Sequence, residues 1–272
     1  MLQPLYGFRL FKPLPTILYY TRCPVLSCVK VVLAGTGSAI NPLRGQVSVI
    51  LDMGGYTVVV DVGCCAPNVA ERLGYKLDEV ESFIVTHAHY DHLCGLPMVA
   101  FTKTFRSREP ELKVYTVASG VDFVKSILDL VTAGKGVGYR VHHVTLGSQI
   151  TVGDAKIRFI EADHTVETLG VVAEYAGLKV VVSSDSRPTI AYRREAEEAH
   201  IAIHEATLPS NMREEARITG HTVVEDALKQ VLGAEQAILY HLTQWSEVEA
   251  MEATARNKKV QVVPDGAIVK VC

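Results

Sequence analysis

Three histidines and an aspartate fall within six residues, His87-Ala88-His89-Tyr90-Asp91-His92, and no other segment of this 272-residue chain is so well suited to chemistry. Random ordering of the same composition gives this spacing with a probability of about 5 × 10⁻⁴, so the pattern is a strong one. Neutral imidazole and carboxylate are natural ligands for zinc and similar borderline cations. The segment leaves the apolar strand pattern Ser82–Val85, so its side chains can converge on a small volume. Four donors exceed what one zinc ion takes if it also keeps an open position. If the chain is still extended there, His87 and His89 point the same way, and Asp91 and His92 fall to a second metal.

A metal pair needs further ligands, and strand ends are where loops hold functional groups on a rigid scaffold. His164 follows the run Lys156–Asp163, Asp185 follows Leu178–Ser184, and His241 follows Gln236–Tyr240. Asp185 also suits a turn before Pro188, but a metal pair calls for a bridging anion. His142, His143 and His200 lie in or beside strand patterns and read as ordinary histidines. Two zinc ions bring four positive charges, while two carboxylates and a hydroxide bring three negative ones. The surplus favours an anionic substrate such as a phosphodiester. Such a pair lowers the pKa of a shared water and clamps attacking and leaving oxygens. Mn²⁺ or Fe²⁺ would suit the same nitrogen and oxygen donors.

The elements that must position these residues are short strands and helices. Val29–Ala34, Gln46–Leu51 and Thr57–Val62 read as consecutive strands, with a hairpin at Gly54-Gly55. Further strand patterns are Lys113–Val117, Arg140–Thr145, Lys156–Ile160, Val171–Glu174, Lys179–Val182, His200–Ile203 and Ala237–Tyr240. Helical patterns cover Pro67–Leu73, Leu96–Phe105, Val121–Val131, Ile190–Glu198, Val223–Leu232 and Glu247–Arg256. This mixture predicts layered sheets with helices outside, not a regular βαβ repeat. With 48% hydrophobic and 21% charged residues, the chain has the composition of a buried core and excludes disorder. A formal charge of −3 supplies no global field for nucleic acid. No apolar run approaches the roughly 18 residues of a membrane span, so no membrane partner is expected. Six cysteines without CxxC spacing predict reduced thiols in a cytoplasmic protein. Pro4, Pro13, Pro15 and Pro24 break up any signal-peptide core, so residues 1–28 read as an N-terminal extension or an early-assigned start. Residues 29–272 read as a single domain.

The constellation resembles the metallo-β-lactamase fold superfamily, and within it the ribonuclease Z-like branch. The resemblance runs through Gly35-Thr36-Gly37-Ser38-Ala39, Arg44, Ser48, the Thr86–His92 segment, Gly95-Leu96-Pro97, His164 and Ser184-Asp185. Its most branch-specific pieces are His204-Glu205-Ala206-Thr207, Gly220-His221-Thr222 and His241-Leu242-Thr243. It implies an α/β fold, a four-layer αββα sandwich with the site at the sheet edges. It implies two Zn²⁺: one held by His87, His89 and His164, the other by Asp91, His92 and His241, with Asp185 bridging. The catalytic residues it implies are Asp91, Glu205 and His221. A metal-bridging hydroxide would attack phosphorus, and Glu205 with His221 would assist protonation of the leaving oxygen. Glu205 as a mere support for a ligand is the equal alternative. The activity implied is that of a zinc-dependent phosphodiesterase, an endoribonuclease of tRNA 3′-end processing acting on a tRNA precursor, as a homodimer.

One departure bears on the substrate. Ribonuclease Z proteins typically carry a long tRNA-gripping arm between the third histidine and the bridging aspartate, whereas here His164 and Asp185 are 21 positions apart. A small cyclic or aryl phosphodiester suits the missing arm. An RNA would need another surface, for which Arg106, Arg108 and Lys113, or Arg187, Arg193 and Arg194, are candidates. A lactone or thioester hydrolase would use the same hydroxide on carbonyl carbon, but Glu205 with His221 favours phosphorus. The full ligand set disfavours a non-enzymatic metal-binding module. A dinucleotide loop at Gly35-Thr36-Gly37 fails because Ile40 stands where the third glycine would be.

Overall fold

Alternate residues of the central strands enter different cores. In β1 (Val29–Gly35), Val29, Val31 and Leu33 join one apolar cluster, while Val32 and Ala34 join another. A strand buried on both faces reads as a continuous apolar run, which explains the lack of polar alternation in these segments. The computed structural model describes residues 28–106, 111–132 and 138–272. The expected extension over residues 1–28 therefore lies, but for Cys28, outside the described residues.

The first half of the chain runs β1, β2 (Ser48–Met53), β3 (Tyr56–Val60), α1 (Ala66–Arg72), β4 (Ser82–Val85), α2 (Leu96–Arg106), β5 (Leu112–Thr116), α3 (Val121–Thr132) and β6 (Tyr139–His143). The second runs β7 (Gln149–Val152), β8 (Ala155–Glu161), β9 (Leu169–Tyr175), β10 (Leu178–Val182), α4 (Ile190–Glu197), β11 (Ile201–Glu205), α5 (Arg213–Thr219), α6 (Val224–Val231), β12 (Gln236–Tyr240), α7 (Glu247–Arg256), β13 (Val260–Val262) and β14 (Ala267–Val271). The sheets are ordered β14-β1-β2-β3-β4-β5-β6 and β13-β12-β11-β10-β9-β8-β7. Each changes from antiparallel to parallel pairing midway, at β3 and at β10. The core between the sheets contains Leu51, Val60, Phe159, Val182, Ile203 and Tyr240. A second core packs α1, α2 and α3 on the outer face of the first sheet, and a third packs α4, α6 and α7 on the second sheet. The result is the four-layer helix–sheet–sheet–helix sandwich of the metallo-β-lactamase type.

Sequence reading misses β7, β13, β14 and α5. The three strands are sheet edges and largely half-exposed, so they lack the uninterrupted apolar runs of the inner strands. Helix α5, Arg-Glu-Glu-Ala-Arg-Ile-Thr, buries only Ala216.

The cysteines correct an expectation. Instead of reduced thiols, the structure pairs Cys28 with Cys272 and Cys64 with Cys94. Cys65 is free and exposed. The pairings arise from contacts remote in sequence, which is why CxxC spacing could not reveal them. Val29 sits opposite Val271 in the β1–β14 register, so the flanking Cys28 and Cys272 meet, with their Cα atoms 4.2 Å apart. Val62 donates to the His92 carbonyl and Gly95 to the Val62 carbonyl, which sets Cys64 beside Cys94. A cross-link restricts the unfolded chain, so Cys272→Ser is expected to lower unfolding free energy by about 2–4 kcal/mol in urea titrations. Equal midpoints for the variant and the parent would show that the bond adds nothing.

Candidate metal centre

The chemically suited residues leave the ends of neighbouring strands. Asp61 follows β3, His87–His92 follow β4, His164 follows β8 and Asp185 follows β10; Glu205 ends β11 and His241 follows β12. Ligand sites of open α/β sheets lie at such strand ends. Among the described residues, four non-glycine residues have positive φ, and three lie here: Asp61 at 56°, Ser184 at 61° and His241 at 53°. This backbone geometry is strained for L-residues and persists only where the surroundings enforce it.

The structure brings all seven candidate ligands together in two groups that share Asp185. In the first, His89 Nδ1 lies 3.0 Å from His87 Nε2 and 3.2 Å from His164 Nε2. Asp185 Oδ2 is 3.7 Å from His87 Nε2 and 3.9 Å from His164 Nε2. In the second, Asp91 Oδ2 is 3.3 Å from His241 Nε2 and 3.8 Å from His92 Nε2. Asp185 reaches this group too, with Oδ1 3.3 Å from His241 Nε2 and Oδ2 3.3 Å from His92 Nε2. Bonds of about 2.0–2.1 Å in a tetrahedron put neighbouring donors about 3.4 Å apart, close to these spacings. His92 Nε2 and Asp185 Oδ1 are buried without a hydrogen-bond partner, an arrangement that costs free energy unless something satisfies them. Donor types, spacing and unpartnered atoms all fit divalent cations.

Partners behind the imidazoles fix which nitrogen faces inward. His164 Nδ1 donates to the Gly220 carbonyl at 2.8 Å, and His92 Nδ1 to Asp61 Oδ2 at 2.8 Å. His87 Nδ1 meets Thr86 Oγ1 at 3.1 Å, and His241 Nδ1 meets Thr207 Oγ1 at 2.7 Å. Each contact engages Nδ1 and turns Nε2 to the centre, where its lone pair would bind a cation once the ring is neutral. Asp61 also accepts from the Thr86 amide and hydroxyl, so one carboxylate orients His92 and anchors the start of the histidine loop. Asp61→Asn is expected to weaken metal binding by roughly 10–100-fold with the fold intact, as measured by chelator competition and circular dichroism. Unaltered affinity would mean that Asp61 does not set the His92 tautomer.

Gly220 is required by close approach. It caps α5 in the left-handed conformation, and a Cβ there would meet His164 Nδ1 at 2.6 Å.

Burial lowers the pKa values of His87, His89 and His164, keeping these rings neutral with lone pairs available. Burial raises Asp185, but the charges of His241 and His92 outweigh it and hold its carboxyl well below the usual range. Asp91 is depressed in the same way, burial being overcome by His241 and His92. Glu205 is fully buried, yet His221 keeps its pKa low. Its Oε1 accepts from the Ser186 amide at 2.9 Å and from His221 Nδ1 at 3.0 Å. Its Oε2 accepts from the Thr207 hydroxyl at 2.5 Å and the Thr222 amide at 3.1 Å. Burial lowers His221, but Glu205 and then Asp185 raise it further, to about 9. His221 lines the cavity above the metal groups, and Glu205 lies beneath it. Through Thr207, the same carboxylate also supports His241.

Sequence reading missed Asp61, and it included Thr207 in the His204-Glu205-Ala206-Thr207 motif without giving it a role. Asp61 follows the apolar run Val58–Val60, so the strand-end argument that singled out His164 and Asp185 would have reached it. Of the candidate RNA surfaces, Arg193 and Arg194 stand exposed on α4, whereas three other members are engaged in ion pairs. Arg106 pairs with Glu71, Lys113 with Glu81 and Arg187 with Asp163, while Arg108 lies outside the described residues. His142 stacks on Tyr115, and His200 accepts from the Lys179 amide, both apart from the seven-residue cluster.

Fold and site together define a metal-dependent hydrolase of the metallo-β-lactamase fold, on the ribonuclease Z-like branch. The chain belongs to the family described as anti-Pycsar protein Apyc1, whose model matches residues 29–232. Ribonuclease Z of Ignicoccus hospitalis is 24% identical over 261 residues, covering 78% of this chain and 87% of that protein. Among solved structures, the metallo-β-lactamase fold protein YhfI from Bacillus subtilis superposes with a TM-score of 0.76 at 18% identity, covering 90% of this chain and all of that one (100%). The short form of human tRNase Z gives 0.73 at 21% identity, covering 88% and 98%.

Proposed function

We propose that the chain is a dinuclear zinc-dependent phosphodiesterase, with residues 29–272 as its single catalytic domain. The observation that carries this reading is the pair of ligand groups sharing Asp185, with His221 and Glu205 in hydrogen-bond contact beside them. His87, His89 and His164 would hold one ion, and Asp91, His92 and His241 the other. A bound pair supplies an acidified water and charge stabilisation at the phosphoryl oxygens. His221, held protonated by Glu205, would give its proton to the leaving oxygen. Thr207 and Asp61 would keep His241 and His92 in the tautomers that binding needs.

Relatives named ribonuclease Z support a tRNA precursor as substrate, with cleavage leaving a 3′-hydroxyl. A second reading, a small phosphodiester, is favoured by the chain between His164 and Asp185. That interval is filled by the β9–β10 hairpin, closed at Ala176-Gly177, and it holds no arm. The test offers zinc-loaded protein a tRNA precursor with a 3′ trailer, an aryl phosphodiester, a cyclic nucleotide, a lactone and a thioester. Turnover of the phosphodiesters alone is expected. Turnover of the carbonyl esters alone would overturn the phosphodiesterase reading. A homodimer belongs to the same proposal: exposed Met98 and Phe101 of α2 and Phe123 of α3 supply an apolar face for it, and light scattering measures the mass.

A further inference from the structure

The cavity over the metal groups is larger than a phosphoryl group needs. It has a volume of about 420 Å³, and beside His89, Asp91, Asp185, His221 and His241 it is lined by Ile40, Leu208, Met212 and Trp245. Trp245 is the chain's single tryptophan, and it is 51% exposed. Aromatic surface left in water beside a polar centre marks a place where a ligand covers it.

Backbone pairing holds this apolar part in place. The loop carrying Ile40 and the loop leading to Trp245 are tied by an isolated bridge between Gly37 and Leu242. Ser38 N donates to the Leu242 carbonyl at 3.0 Å, and Leu242 N to the Thr36 carbonyl at 3.1 Å. Asn41 Nδ2 adds a bond to the same Leu242 carbonyl at 2.9 Å, and Arg44 pairs with Glu247 at 2.7 Å. A platform fixed in this way loses little entropy when a ligand settles on it.

A second observation is independent of the indole. Ser38 lines the same cavity and is 3% exposed, yet its hydroxyl has no hydrogen-bond partner. A buried hydroxyl is stable when something satisfies it, and a ligand hydroxyl or ring nitrogen would do so.

We propose that Trp245 and Ser38 form a recognition subsite for a nucleoside, with the base stacked on the indole and the Ser38 hydroxyl bonded to the sugar or to the base edge. Trp245 is then the residue that selects nucleotide phosphodiesters over simple alkyl or aryl ones. The inference rests on the phosphodiesterase reading above. Stacking on an aromatic ring accepts any base, because every base has a π-face. The subsite therefore predicts a preference for nucleosides over other groups, with little discrimination among bases.

Two measurements test it on zinc-loaded protein. The first is tryptophan emission, which comes from Trp245 alone. Adenosine 5′-monophosphate is expected to quench it saturably, and ribose 5-phosphate to leave it unaltered. A short oligoribonucleotide as a further arm separates the two sources of the base. Quenching at lower concentration by the oligomer identifies an RNA end, and equal affinity identifies a small nucleotide. The second compares thymidine 5′-(4-nitrophenyl) phosphate with methyl 4-nitrophenyl phosphate, which share a leaving group. The ratio of their kcat/KM values is expected to fall by about 10-fold or more in Trp245→Ala and to be largely kept in Trp245→Phe. An unchanged ratio in Trp245→Ala, or emission indifferent to the mononucleotide, overturns the subsite. The emission titration needs no turnover, so it decides whether a base stacks there even if neither nitrophenyl ester is cleaved, and failure of the subsite stays distinct from failure of the phosphodiesterase reading.

Discussion

Asp185→Ala is expected to strip metal from both groups at once and to remove turnover. Asp185 is the only candidate ligand present in both clusters. Its two oxygens lie 3.3 Å from His92 and His241, and one of them lies 3.7 Å from His87. Replacing it leaves buried imidazoles facing one another with no anion between them. A cation there would then lack the charge that offsets its desolvation. Losing several kcal/mol of stabilisation of the transferring phosphoryl group corresponds to a fall in kcat/KM on the order of 10⁴-fold. Asp91 touches the second group only, so Asp91→Ala is expected to lose about half of the metal and also to abolish activity. Metal stoichiometry by mass spectrometry, with circular dichroism as a check on folding, separates the two variants. A folded Asp185→Ala protein that still holds two ions would remove Asp185 from its bridging role.

Sequence reading already separates these two aspartates, with Asp185 expected to bridge and Asp91 expected to serve one ion only. It reached the seven clustered residues because they share a local signature. Either they fall in the dense His87–His92 segment, or they stand where an apolar strand stops. The sandwich was legible for a related reason. Strands such as β1, β3, β10 and β11 are buried on both faces, and such burial writes an uninterrupted apolar run into the chain. What escaped depends on contacts between residues far apart. β14 is half-exposed and completes the first sheet only by pairing with β1. Cys28 and Cys272 meet because that pairing sets their neighbours opposite each other. Asp61 acts on His92 across 31 positions, and Thr207 on His241 across 34. No periodicity records such distances. Glu205 is the intermediate case. Its motif singles it out, and its buried position beneath His221 puts its carboxylate in contact with that ring and with Thr207.

That arrangement makes His221→Ala the second large effect. Turnover is expected to fall by roughly 10²–10⁴-fold, the range for a positioned proton donor, while metal content stays at the parent level. His221 is near enough to Asp185 and His241 to share a cation with them, but its Nδ1 is engaged by Glu205 at 3.0 Å, so no loss of metal is expected. Its pKa is raised to about 9, the pull of burial being outweighed by Glu205 and Asp185. A raised histidine pKa means that the proton is held at neutral pH and lost as pH climbs through that value. Activity should therefore decline on the alkaline side at or below about 9, because cations bound beside Asp185 would disfavour the imidazolium. This limb should be missing from the His221→Ala profile. Leaving-group dependence isolates the role further. An aryl oxide such as 4-nitrophenolate departs without a proton, whereas an alkoxide of a ribose needs one. The His221→Ala defect should then be smallest for the nitrophenyl ester and grow as the leaving group becomes more basic. A defect of equal size for both leaving groups would assign His221 to binding the phosphoryl group instead of protonating the departing oxygen.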